Sequence, residues 1–187
     1  LRSYSPVENT KLRFIKHERF LTDRGANRVF LGFGAIAPAY GTEDYYPYML
    51  AYRYLFDDDS DLLGNYIKKE QSDNSMVFDS YLYESSPRIP YIHFSIYADS
   101  SAVDSVYSGI TETLESLFDR GFTLSNLADA NDILAREAYE AYNSPSEFSV
   151  RFLDSFSNDH DPDRVQNEME RLQSVGLDEL NRVFRKY

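Results

Sequence analysis

The order in which strand-like and helix-like segments follow one another restricts the fold of this chain more than any other feature. An extended stretch over 11–21 is followed by turn-forming residues over 23–27 and by a mostly apolar run over 28–37. Turn residues between two extended runs are typical of neighbouring strands. We therefore predict two adjacent strands at the start of the fold.

Two helices are predicted to follow these strands. Thr42 or Asp44 can cap a helix that runs to about Phe56, because a short polar side chain there accepts hydrogen bonds from the first turn. Apolar and aromatic residues recur at helical spacing within this segment. A second, shorter helix is predicted over 62–70.

A second pair of strands is predicted over 75–84 and 89–98, on either side of a Ser-Ser-Pro-Arg turn. In the later strand Ile92, Phe94 and Ile96 alternate with more polar residues. Successive side chains of a strand point to opposite faces of the sheet. The alternation therefore predicts a hairpin with one buried face.

The rest of the chain has helical periodicity. The first helix of this region, over about 100–119, carries one apolar stripe and is ended by Gly121. That stripe consists of Val103, Val106, Tyr107, Ile110, Leu114 and Leu117. Further helices are predicted to start near Thr123, Pro145, Pro162 and Leu177.

Together these elements predict an α+β fold. Strands in two pairs and helices in a separate run favour a two-layer sandwich, in which helices pack on one face of a mixed or antiparallel sheet. The 187 residues suit one domain over 1–187. Because the chain begins at Leu1 rather than at Met, we interpret it as a segment of a longer protein.

Charge and composition exclude several classes of function. A formal charge of -12 repels nucleic-acid phosphates and anionic lipid headgroups. The chain has no cysteine, which excludes disulfides, thiolate zinc sites and a cysteine nucleophile. No apolar run approaches the length of a membrane span. Nucleic acid and membrane surfaces are therefore poor candidates as partners.

The histidines do not form a catalytic zinc motif. Such a site usually needs two histidines on one helical face together with a carboxylate, as in H-E-x-x-H or H-x-x-E-H. The three histidines, His17, His93 and His160, are isolated from one another in the sequence. We predict no catalytic residue and no metal site in this chain.

Two further patterns have a structural and a functional interpretation. The segment from Gly32 to Ala37 matches the dinucleotide pattern G-x-G-x-x-A, but Pro38 argues against the helix that such a site requires, so we interpret it as a strand. The tyrosines of the second strand pair can bind a peptide or pack under helices, and packing is the commoner role.

Three segments carry a family pattern: RVFLGFGAIAPAYGTEDYYPYMLAYRYLF over 28–56, LLGNYIKKEQ over 62–71 and LFDRGFTLSNLADAND over 117–132. With the tail SVGLDEL over 174–180, they resemble the non-catalytic domain of insulinase/pitrilysin-type zinc peptidases. The similarity extends over nearly the whole chain from about Lys11. The order of the elements carries more of it than any single motif.

This resemblance implies a peptidase built from two homologous halves that close around an unfolded peptide. Only one half of such a peptidase binds zinc, and this chain corresponds to the other. The zinc cofactor is therefore expected in a homologous partner half, either in the same chain or in a partner subunit. Bacterial relatives are often exported, which implies a periplasmic location if the source is bacterial.

The resemblance also suggests substrate-binding residues. Active relatives often use an Arg and a Tyr of the non-catalytic half; Lys68 stands nearest the Arg position, and Ser75 stands at the Tyr position. We expect the strand over 75–84 to face the shared chamber and to dock peptide. The candidate substrate-binding residues are Lys68, Lys69, Tyr81 and Tyr83.

Two other functions remain open. One is a proteolytically inactive structural or assembly domain of the same fold, which the loss of the Tyr and Gly of the substrate motif near Lys68 favours. The other is a free-standing protein that binds a carbohydrate or another small ligand through its aromatic strands. The latter agrees with the 16 tyrosines but does not explain the order of the elements.

Overall fold

The structure, a computed structural model, describes residues 28–57, 60, 62–72, 76–83, 91–154 and 164–187. Its strands are β1 (Arg28–Ile36), β2 (Met76–Tyr83) and β3 (Tyr91–Asp99). Its helices are α1 (Tyr45–Phe56), α2 (Leu63–Ser72), α3 (Val103–Arg120), α4 (Leu124–Asn143), α5 (Pro145–Asp154), α6 (Arg164–Gln173) and α7 (Leu177–Lys186).

The predicted order of elements is confirmed from β1 onward. The predicted strand over 11–21 and its turn lie outside the described residues, as do the turn between β2 and β3 and the residue Pro162. Pro145 begins α5, as predicted from its tolerance in the first helical turn.

The three described strands form an antiparallel sheet in the order β1-β3-β2. The predicted hairpin is therefore confirmed as the β2–β3 pair. Gly32 and Gly34 lie inside β1, opposite Ser95 and His93, so the glycine-rich segment is a strand, as predicted.

The sheet has two unlike faces. Leu31 of β1 and Phe94 and Ile96 of β3 occupy alternate positions and are buried in the core beneath the helices. On the intervening positions, Phe30 is 51% exposed and Tyr97 is 45% exposed. Period-two geometry therefore separates a core face from an open face of the β1–β3 pair.

The core joins residues from many elements. Leu50 of α1, Leu63 of α2, Ile96 of β3, Ile110 of α3 and Leu134 of α4 are all fully buried. Burial of each such side chain contributes about 1.5–3 kcal/mol relative to exposure. One continuous cluster connects the sheet with α1, α2, α3, α4, α6 and α7.

The predicted stripe of α3 faces this core. Val106, Ile110 and Leu117 are fully buried, and the other three residues of the stripe are partly buried against the cluster. Gly121 then ends the helix with φ 74°, a conformation that favours glycine. Asn181 of α7 accepts a hydrogen bond from the Phe122 N–H at 2.6 Å and donates one to the Phe122 carbonyl at 3.1 Å.

The start of α4 is fixed by a capping box. Thr123 accepts a hydrogen bond from the backbone N–H of Asn126, and the Asn126 side chain accepts one from the backbone N–H of Thr123. The Asn126 amide also donates to the Tyr54 hydroxyl at 2.9 Å. The predicted cap is thereby confirmed, and it connects α4 to α1.

The fold is mixed α+β and mostly helical, with an antiparallel sheet in the part of the chain that the structure describes. The α+β class is therefore confirmed. The single-domain boundary over 1–187 stays a prediction.

Candidate functional site

The predicted substrate residues lie on two neighbouring elements. Lys68 and Lys69 are in α2, and Lys69 is exposed. Tyr81 and Tyr83 are in β2, opposite His93 and Tyr91 of β3. Because α2 contacts β2, the fold brings the two pairs into one region.

The ladder register relates this region to the open face of the sheet. Tyr81 pairs with His93 and Tyr83 pairs with Tyr91, which are four and six residues before Tyr97 in β3. These β3 residues occupy the positions that alternate with the buried Phe94. The ring of Tyr97 contacts the ring of Phe30 edge to face, with centroids 5.2 Å apart. In the backbone register, Tyr81 and Tyr83 thus belong to the same alternating set of positions as Tyr97.

The carboxylate cluster consists of Asp44 and its partners, and it joins the start of α1 to the end of α7. Asp44 precedes α1, and its side chain is only 5% exposed. Arg182 Nη2 of α7 forms an ion pair with Asp44 Oδ1 at 2.8 Å, and Lys186 and Tyr187 donate to Oδ2, the latter at 3.2 Å. Thr42 or Asp44 was predicted to cap α1; Asp44 occupies the N-cap position, but its side chain makes no cap hydrogen bond.

Asp44 and Lys186 both stay charged over a wide pH range. Burial alone raises the pKa of Asp44, but hydrogen bonds from Lys186 and Arg182 outweigh it and hold the pKa below its ordinary 3.8. The hydrogen bond to Asp44 raises the pKa of Lys186 above its ordinary 10.5. The pair is therefore ionised across the range between these two values.

An apolar groove lies beside this cluster, between the core face of the sheet and the helices. Its volume is about 610 Å³. Phe33 and Phe94 stack at 4.6 Å on the strand side, while Tyr48 and Leu55 of α1 and Leu114 of α3 line the helix side. Burial, followed by the neighbouring phenols, raises the pKa of Tyr48, which keeps this hydroxyl neutral. The groove can accept an apolar group.

The described residues contain no group of three or more His, Cys, Asp or Glu side chains that could hold a metal ion. His93 lies in β3, whereas His17 and His160 lie outside the described residues. The donor set of a catalytic zinc site is therefore not assembled in this part of the chain. No helix in the same residues is long and apolar enough to cross a bilayer.

Sequence reasoning missed both the carboxylate cluster and the groove. The signal for the cluster is weak: Arg182 and Lys186 are four residues apart and so share one face of the last helix. Nothing in their spacing identifies Asp44, more than 130 residues earlier in the chain, as the partner. The groove depends on how three helices meet the sheet, which local periodicity does not specify.

Neither a family model nor a curated protein matches the sequence. Solved structures match its fold. The inactive peptidase domain of a Bordetella parapertussis protein described as a zinc protease aligns with a TM-score of 0.66 and 19% identity, over 89% of this chain and 87% of that chain. A peptidase M16 inactive domain from Pseudomonas fluorescens aligns with a TM-score of 0.67 and 11% identity.

Two of the matched chains are much longer than the part that aligns with this chain. A protease from Helicobacter pylori aligns with a TM-score of 0.71 and 14% identity, covering 88% of this chain but 40% of that one. The Pseudomonas match covers 87% of this chain and 38% of its own. The chain thus has the fold of the M16 peptidase inactive domain, and the resemblance predicted from the sequence is confirmed at the level of the fold.

Replacing Asp44 with Asn tests the carboxylate cluster. The variant keeps the size of the side chain but leaves two cations without their anion, and both cations are half exposed and can be hydrated. We expect the free energy of unfolding at pH 7 to fall by about 1–3 kcal/mol in urea titrations. Because the pKa of Asp44 is lowered by folding, its contribution is present above 3.8 and is lost as the pH falls through the folded value.

The difference between wild type and Asp44→Asn is therefore constant near neutral pH and closes in acid below 3.8. The matched control is Asp129→Asn, an exposed carboxylate on α4, which should change stability by less than about 0.5 kcal/mol. An equal loss in both variants, or a difference that persists unchanged in strong acid, would contradict the proposed cluster.

Proposed function

We propose that this chain is the non-catalytic half of a zinc-dependent peptidase, that it forms a wall of the chamber, and that it helps to dock peptide for a zinc-bearing half. The likeness to M16 inactive domains is the observation that carries the proposal. Zinc would belong to the homologous partner half. Coverage of only 38–40% of the longer matched chains leaves room for such a half in the same polypeptide.

The chamber role is supported by the asymmetry of the sheet. We infer a two-layer arrangement in which helices cover one face, because core residues of β1 and β3 are buried beneath α1 and α3. The opposite face carries the exposed pair Phe30 and Tyr97. A wall that holds peptide needs such a surface, since aromatic side chains contact many sequences through apolar area.

The docking role rests on β2 and its neighbours. β2 forms one end of the described sheet, and an extended peptide can add to a sheet edge through main-chain hydrogen bonds with little regard for its sequence. Lys68 and Lys69 precede this strand in α2, and Tyr81 and Tyr83 lie within it. In this proposal the lysines bind peptide carbonyl or carboxylate groups, and the tyrosines contact its side chains.

A structural or assembly role is the second candidate. Ser75 stands where active relatives are expected to have a substrate-binding Tyr, and no Gly occurs over 71–74. A domain that only supports its partner has no need of these residues. The two proposals differ in whether peptide binding responds to changes at Lys68, Lys69, Tyr81 and Tyr83.

The first prediction concerns zinc. We expect the isolated chain to bind less than about 0.1 zinc ion per molecule after dialysis and to cleave no peptide, because a catalytic site needs three protein ligands and an activated water. Elemental analysis by mass spectrometry and a fluorogenic peptide assay measure the two quantities. Stoichiometric zinc together with cleavage would overturn the non-catalytic assignment.

The second prediction concerns substrate docking in the two-half enzyme. The paired changes Lys68→Ala with Lys69→Ala, and Tyr81→Ala with Tyr83→Ala, are each expected to raise KM about tenfold and to leave kcat within about twofold. The reason is that these side chains would bind the peptide without touching the reacting atoms, so their loss weakens substrate binding and leaves the chemical step unchanged.

The matched controls for this experiment are Arg120→Ala and Tyr139→Ala, both at exposed positions of the helices. These variants should leave KM unchanged. If all the variants have wild-type kinetics while the enzyme stays assembled, the assembly role is favoured and the docking role is wrong.

A further inference from the structure

The open face of β1 carries two glycines at successive positions. Gly32 and Gly34 alternate with the core residues of the strand, so they lie on the same face as Phe30, and both are exposed. Between Phe30 and Ile36, therefore, β1 contributes no side chain to this face. The result is a stretch of uncovered backbone on the open side of the sheet.

The backbone itself does not require these glycines. β1 pairs with β3 residue by residue over Arg28–Ile36, without a bulge. Among the described glycines, positive φ values occur at Gly41 and Gly121 and not in β1. Both β1 glycines also face away from the core, so helix packing gives no reason for them. A glycine inside a strand is unfavourable by itself and often marks a place where a ligand or another chain approaches closely.

A buried hydroxyl lies beside the glycines. Ser95 of β3 is opposite Gly32 in the ladder, and strand alternation directs it to the open face, away from the buried Phe94. Ser95 is only 7% exposed, and its hydroxyl makes no hydrogen bond with any residue that the structure describes. A buried hydroxyl without a partner is unfavourable, so a ligand group that bonds it would remove a cost. Gly32, Gly34 and Ser95 form what we call the glycine notch.

The aromatic pair of Phe30 and Tyr97 stands at one end of the notch. Phe30 is the neighbour of Gly32 on the open face of β1, and Tyr97 is the neighbour of Ser95 on that of β3. Both rings are half exposed. Positions two residues apart in a strand are separated by about 6.6 Å. Aromatic rings interact at centroid distances of about 4.5–7 Å, so a ring held over the notch can contact this pair.

We propose that the glycine notch binds the side chain of a tyrosine in an extended peptide. The ring lies on the backbone of Gly32 and Gly34 and contacts the aromatic pair, and its hydroxyl forms a hydrogen bond with Ser95. The two hydroxyls are compatible, because each can donate and accept. The notch and the aromatic pair contain no charged residue, so an arginine or lysine would be desolvated there without a partner. This inference rests on the proposed function, since it assigns a side-chain preference to the proposed peptide surface.

The test measures the binding of four labelled peptides to the purified chain by fluorescence anisotropy. The peptides share one Gly-Ser sequence and differ at a central residue, which is Tyr, Phe, Leu or Arg. The Tyr peptide should bind about fivefold more tightly than the Phe peptide, which leaves Ser95 unpaired. The Phe peptide should bind about threefold more tightly than the Leu peptide, which lacks the ring contact. Equal binding of all four, tightest binding of the Arg peptide, or no binding at all would overturn the proposal.

Two variants locate the subsite. Ser95→Ala should lower the affinity for the Tyr peptide about fivefold and leave that for the Phe peptide unchanged, whereas a general structural effect would weaken both. Gly32→Val fills the notch with a residue that strands favour, and it should remove the preference for Tyr over Leu. The matched controls are Ser125→Ala and Ala128→Val, both at exposed positions of α4, which should bind as wild type.

Circular dichroism verifies that each variant is folded before titration. If Gly32→Val does not fold, Gly34→Val fills the notch from the next open-face position. A folded filling variant that still prefers Tyr over Leu would contradict the assignment, as would an equal loss in Ser95→Ala and Ser125→Ala.

Failure of this subsite can be told apart from failure of the proposed function. If the four peptides bind equally while the changes at Lys68, Lys69, Tyr81 and Tyr83 raise KM, the tyrosine subsite is wrong and the docking role stands. If those changes leave KM at the wild-type value, the docking role on β2 is wrong whatever the peptide preference.

Discussion

The antiparallel pairing of β1 with β3 gives the sheet its two faces, and the rest of the structure is arranged around that difference. In the register of the pair, Phe33 lies opposite Phe94 and Leu31 opposite Ile96, and these residues pack towards the helices. A slip of one residue would move this apolar set to the other side of the sheet. The same register leaves Phe30 and Tyr97 exposed, and the proposed peptide surface depends on that exposure.

Helices pack against the core face of the β1–β3 pair. The chain returns from α7 to the start of α1, where Asp44 pairs with Arg182 and Lys186. A buried carboxylate would be unfavourable without these partners, since its desolvation is offset only by close opposite charge. The contact also sets the end of α7 against the groove. The ion pairs of Asp44 thus connect α7 to the start of α1, and Lys186, one of the paired residues, also lines the groove.

Sequence reasoning recovered the elements well and the tertiary details poorly. The stripe of α3 and the caps at Gly121 and Thr123 are local signals, because each depends on spacing or on one residue type. The partners of Asp44 were not predictable, because they lie in α7 at the far end of the chain. The sequence indicated Thr42 or Asp44 as the cap of α1; Asp44 occupies that position, but its carboxylate pairs with α7 and makes no cap hydrogen bond.

The candidate substrate-binding site stays a prediction. The position of α2 before β2 placed Lys68 and Lys69 near the tyrosine-rich strand, and the structure agrees on that neighbourhood. Peptide binding at this site is a proposal that rests on the family resemblance. The family pattern led to the expectation of a zinc-bearing partner, whereas composition and charge alone argued against nucleic acid and membrane partners and excluded cysteine chemistry.

The most direct measurement of the central claim is crosslinking of bound peptide from opposite sides of the domain in the two-half enzyme. Since this chain contains no cysteine, Tyr97→Cys and Tyr139→Cys each provide a single attachment point for a photoreactive maleimide within it. A peptidase wall built as described predicts peptide adducts from position 97, on the open sheet face, and none from position 139, on α4. Adducts from position 139 alone would show that the peptide lies on the helical side and would contradict the account.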